Sequence, residues 1–201
     1  MLAPWCIPRE DWRLTPCLIS SDGYPGASNA KRAQEWRSKS SRQNRSQATR
    51  LATDLAKRFP EDTVVQFNYL PTIRAAIALQ GSNAAKAIEA LVSAAPYALG
   101  STSPTMNFAL YPVYLRGEAY VAAHQGSAAA AEFQKILDHP SLVVNEPIGA
   151  LAHLGLARAY ALSGDTVKAK SAYQDFLGLW KDADAEIPIL IAAKSEYAKL
   201  Q

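Results

Sequence analysis

Apolar residues recur along most of this chain at three- and four-residue spacing, the period of one helix face. Leu51, Leu55 and Phe59 form one such stripe beside a row of small residues, Ala48, Ala52 and Ala56. Pro60 ends that helix, because proline cannot continue the hydrogen-bond ladder. The next apolar run covers 67–79, with Leu70, Ile73, Ile77 and Leu79, and the turn "QGSN" closes it at 80–83. A third run covers 84–95 and stops at Pro96. After loop chemistry at 100–105, helical patterning resumes from Leu110 to His124, breaks at "QGS" (125–127), and continues over 128–137. Further helices are predicted over 147–163, 166–180 and 187–200. The best β-branched run, "LVVN" at 142–145, lies between two prolines and reads as a connection. The fold class expected is therefore all-α.

The first 47 residues differ. Pro4, Pro8, Pro16, Pro25, Gly23 and Gly26 interrupt 1–28, which reads as irregular, and 29–47 reads as a weak helix or a mobile basic arm with a thin apolar face. Two regions follow: a basic N-terminal segment, 1–47, and a helical-repeat domain, 48–201, closed by a C-terminal capping helix.

Within that domain three helix pairs stand out, at 67–95, 110–138 and 147–180. Ala87, Ala129 and Ala169 hold similar places in the second helices, 42 and 40 residues apart. A period near 40 suits stacked helical hairpins, each unable to bury its apolar side alone. "ALSGDTVKAKSAYQDFL" (161–177) shows the logic. Gly164 permits a tight reversal, Asp165 caps the next helix, Ala169 allows close approach, and Tyr173 and Tyr160 fill the space beside it.

On these residues the stretch 153–176 resembles a tetratricopeptide repeat. Leu156, Ala157 and Tyr160 match the family's first helix, and Gly164, Ala169 and Tyr173 its turn and second helix. Residues 48–60 resemble a second helix, with Ala48 as the small contact and Pro60 as the closing proline. The likeness covers about 48–181. It departs from the family at Gly126, seven residues before Phe133, and at Ser82, which replaces the turn glycine. It departs again at 30–44, too polar for a first helix. "YLRGEAYVAAHQGSAAAAEFQKILDHP" and "ALAHLGLARAYALSGD" are also similar to repeats found C-terminal to bacterial serine/threonine kinase and regulator domains, although no kinase motif is present. The resemblance implies a right-handed α-solenoid that acts as a protein–protein interaction scaffold. A peptide or partner protein would lie in a concave groove lined by Tyr69, Thr72, Tyr111, Tyr114, Glu118 and Arg158, with no cofactor.

Charge adds one alternative. The formal net charge is +3, yet 31–58 alone holds nine Lys or Arg against Glu35 and Asp54. That segment, with Trp36 to stack on a base, is a candidate nucleic-acid contact, ranked below peptide binding because such runs are usually solvated. A second alternative is a hydrolase with a small pocket between hairpins, using Asp138, His139, Glu146 and Glu118. No known hydrolase motif supports it, so an enzyme is the lesser expectation. His124 and His139 sit at opposite ends of one helix, and His153 reads as packed. Cys6 and Cys17 could form a disulfide but have no zinc-ligand neighbours, so no metal is expected. No secretory leader or membrane-spanning stretch is legible, and cytoplasmic residence is the default. Exposed apolar surface at the incomplete first hairpin makes a homodimer a further expectation.

Overall fold

The computed structural model describes residues 27–100 and 110–200, with side chains from Arg42 onward. Cys6, Cys17, the Trp36 side chain, residues 1–26 of the stretch 1–28 read as irregular, and the loop residues 101–105 lie outside what is described; residues 27 and 28, read as irregular, are instead the first of a helix. The chain divides into two units, Met1–Ser41 and Arg42–Gln201. In the first, the described backbone is helical. The polar stretch 29–47, predicted as a weak helix or an arm, is helical throughout, as part of α1 (Ala27–Arg58). The described residues are helical with no strand, and none of their helices is long and apolar enough to cross a membrane.

In the second unit, α1 ends at Arg58, two residues before Pro60. Two of its small residues, Ala52 and Ala56, pack with Leu55 against Val65, Leu70 and Ile73. Leu51 is left 62 % exposed. The chain re-enters helix through a wide π-helical turn, Val65–Tyr69, continuous with α2 (Leu70–Gln80). The short α3 (Ala84–Ala90) tightens into a 3₁₀ turn over Val92–Tyr97, where Pro96 removes a backbone donor. Next come α4 (Tyr111–Ala122) and α5 (Gly126–Leu137). The connection around "LVVN" includes the one-turn α6 (Pro140–Val143), ended by Val144 at φ 53°. It leads to α7 (Ile148–Leu162), α8 (Thr166–Leu179) and α9 (Pro188–Ala198).

Packing is serial. α2 pairs with α3, α4 with α5, and α7 with α8. The first helices α2, α4 and α7 also touch in order, while α3 packs on α4 and α5 on α7. α9 packs on α8.

The backbone settles the register of the three turns. Ser82 (φ 56°), His124 (φ 56°) and Gly164 (φ 79°) each adopt the left-handed conformation that reverses the chain. The turn residue of the second hairpin is therefore His124, not Gly126. Five residues after each of the three comes a fully buried alanine: Ala87, Ala129 and Ala169. Nine residues after each comes a large buried side chain: Leu91, Phe133 and Tyr173. The seven-residue spacing from Gly126, read as a departure from the repeat, disappears once His124 is recognised as the turn.

Gly126 instead opens α5 against α7. A Cβ there would stand 2.7 Å from the Ala159 carbonyl, so only glycine permits that approach. Gly117 of α4 and Gly155 of α7 do the same for the Phe133 ring, which lies between them. A Cβ would fall 2.7 Å and 2.4 Å from ring carbons, respectively. Phe133, with Leu110, Val113, Ile136, Leu154 and Phe176, centres the largest core.

Candidate functional site

Counting back from the three turn residues shows what the groove candidates share. Tyr69 and Tyr111 stand thirteen residues before Ser82 and His124. Thr72 and Tyr114 stand ten before the same two, and Glu118 and Arg158 six before His124 and Gly164. All six occupy repeated positions: Tyr69 ends the π-helical turn that leads into α2, and the other five lie on α2, α4 and α7, the three helices in serial contact. Tyr111, Tyr114 and Glu118 recur at spacings of three and four on α4, which sets them along one face.

They divide into two clusters. At one end, Tyr69, Thr72 and Tyr111 line one open cleft of about 250 Å³ with Asn68 and Ile73. The π-helical turn shapes its wall. Within it the carbonyl of the buried Asn68 accepts the Thr72 hydroxyl at 2.6 Å, four residues on. Tyr111 donates its hydroxyl to Glu146 Oε2 at 3.0 Å. Burial, reinforced by the hydrogen bond and charge of Glu146, pushes its pKa up to about 12. The phenol is neutral throughout the physiological range, its proton donated in the bond to Glu146.

At the other end, Tyr114, Glu118 and Arg158 come together with two residues the sequence did not single out for the site, Glu196 and the hydroxyl of Tyr173. Arg158 grips Glu196 of α9 through Nε at 2.8 Å and Nη2 at 3.0 Å, a bidentate pair. Tyr173 donates to the same carboxylate at 2.9 Å. Burial alone would lower the Arg158 pKa, but the bond and charge of Glu196, with the charges of Glu118 and Tyr173, together outweigh it and raise the value. Tyr114 packs edge-on against Phe133, with ring centroids 5.7 Å apart. Its phenol is driven upward by burial and by the neighbouring Glu118 charge. Glu118 is itself raised, first by burial and then by Glu196, against the pull of Arg158 and Tyr114. Its Oε1 is buried without a hydrogen-bond partner.

A carboxyl whose folded pKa exceeds its unfolded one weakens the fold when ionised. That cost is present above the folded pKa and vanishes as pH falls below the unfolded value, near 4.3. Glu118→Gln is therefore expected to raise stability at pH 7–8 by about 1 kcal/mol. The gain should shrink toward zero near pH 4. Urea titrations across that range check this; a destabilised variant at pH 8 would show that the Arg158 attraction outweighs burial.

The four candidates for acid–base work do not converge. Asp138 accepts from Gln134 at 2.9 Å. His139 Nδ1 lies 2.8 Å from the Lys135 carbonyl, its bond within its own helix turn. Glu146 serves Tyr111, and Glu118 faces Tyr114 and Arg158. His153, read as packed, is partly exposed, with Nδ1 3.9 Å from Asp175 Oδ2. Among the described residues no three His, Cys, Asp or Glu side chains form a metal-ligand set.

Glu196 escaped sequence reading because it belongs to α9, outside the repeat register, 38 residues from its partner. Its one signal was position. On α9, Glu196 stands between Ala193 and Tyr197, which both pack against the main core. A scan of protein families, a search of curated proteins and a search of solved structures each find no match to this chain.

Proposed function

We propose that residues 42–200 are a helical-repeat interaction module, a tetratricopeptide-like right-handed solenoid. It binds an extended peptide or partner segment along the face of α2, α4 and α7. One observation carries this reading: Tyr69 and Tyr111, from equivalent positions in successive hairpins, line one cleft together with Thr72 of the first hairpin. Support also comes from the common register of turn, alanine and large residue in all three hairpins, and from the serial contacts of their first helices. At the far end of the face, the bidentate hold of Arg158 on Glu196 supplies an internal example of carboxylate recognition.

Aromatic anchors dominate such interfaces, and truncating one typically costs more than 1–2 kcal/mol. Peptides selected from a random displayed library on the full chain should therefore bind Tyr69→Ala and Tyr111→Ala roughly tenfold more weakly. Val167→Ala, at an 81 % exposed site on α8, should leave affinity unchanged. Selected peptides that bind all three variants equally would remove the groove from the reading.

A further inference from the structure

We propose that a second site, the cleft between α1 and the α2–α3 hairpin, binds the phosphate group of a small organic phosphomonoester. The cleft is partly open and has a volume of about 330 Å³. Arg45, Arg74 and Lys86, one from each of α1, α2 and α3, carry its charge, and Ala52, Ile77 and Ala78 give it apolar surface. No carboxylate lines it. The nearest acid on that part of α1, Asp54, is 3.7 Å from Arg58. Three like charges around one concavity repel one another, and a dianion between them relieves that repulsion.

Arg45 is held ready. Its Nη1 donates to the Gln80 carbonyl at 3.1 Å, where α2 ends. Gly81, the next residue, leaves it room, since a Cβ there would stand 3.2 Å from Nη1. The anchor spends one of the guanidinium's five donors. Planar guanidinium matches phosphate oxygens better than an ammonium does, and Lys86 adds a point charge. The apolar wall suits an organic body attached to the phosphate. A partly open cleft of this size, without an aromatic among its lining residues, does not suit a nucleic-acid strand, which needs an extended basic track and stacking platforms. This site lies apart from the groove of Tyr69 and Tyr111 and draws on the basic segment that peptide binding leaves unused.

Calorimetric titration of the full chain with phenyl phosphate tests the assignment. Saturable one-to-one binding is expected, tighter than for inorganic phosphate. Arg74→Gln and Lys86→Gln, both at exposed positions, should weaken it about tenfold each, as charge-assisted bonds typically do. Unliganded melting temperatures should not change. Gly81→Ala, which crowds Arg45, should also weaken binding. Absence of saturation, equal affinity in the glutamine variants, or inorganic phosphate binding as tightly as phenyl phosphate would each overturn the proposal. So would a single-stranded oligonucleotide that binds in these variants undiminished and is not displaced by phenyl phosphate.

Discussion

Phe133→Ala should reduce the unfolding free energy by about 3–5 kcal/mol, the usual cost of emptying a fully buried aromatic site. The ring is completely buried and rests on two glycines of different helices, Gly117 and Gly155. No neighbouring side chain can swing in to fill the void from those two sides. The complementary change, Gly155→Ala, places a methyl 2.4 Å from ring carbons and should cost about 1–3 kcal/mol by overpacking. Combining Gly155→Ala with Phe133→Leu should cost less than the two changes summed, because the smaller side chain vacates the space the methyl needs. Urea unfolding at constant slope reads all three. Strict additivity would mean that ring and glycine do not share one contact.

Glu132→Leu should cost about 3–5 kcal/mol, because it strands a buried charge. Arg116 and Glu132 meet at 2.6 Å with side chains 8 % and 13 % exposed, joining α4 to α5 within the second hairpin. Lys135 lies 3.3 Å from the same carboxylate and is more exposed. The pair is not fully satisfied, since Nη1 of Arg116 is buried without a partner. That orphan predicts the other arm of the test. Replacing both members, Arg116→Met with Glu132→Leu, should recover most of the loss, since an apolar pair does as well as an imperfectly bonded ionic one. A double variant as unstable as the single would show that the ion pair contributes more than its desolvation costs.

What the chain revealed beforehand was mostly local. The break at Gly164 and Asp165 was legible because its causes lie within a few residues. The glycine accepts φ 79°, and the aspartate side chain accepts from the Lys168 backbone at 3.1 Å. The contact alanines were legible because their spacing repeats. The turn at His124 was not, since a histidine carries no sequence mark of a left-handed backbone and Gly126 beside it drew the assignment. Helix over 29–47 was underread because its polar surface gives no apolar stripe to follow. The 3₁₀ turn after Ala90 and the π-helical turn at Val65–Tyr69 were also missed, since both depend on how neighbouring helices seat. In the candidate site, likeness to a repeat proposed Tyr69, Thr72, Tyr111, Tyr114, Glu118 and Arg158, which share register positions relative to the turns on α2, α4, α7 and the π-helical turn before α2. It did not find Glu196, whose part is set by the packing of α9 and by no local pattern.

The ring of Phe133, seated between α4 and α7, has a consequence for how the unit opens. A hairpin array held only by side-by-side greasy contact can fray one repeat at a time, with slowed amide exchange fading toward the ends. Here the second and third pairs share a single interlocked residue, so neither can detach without exposing it. Deuterium uptake should find α4, α5 and α7 exchanging together, as one cooperative block that straddles the 138–147 connection.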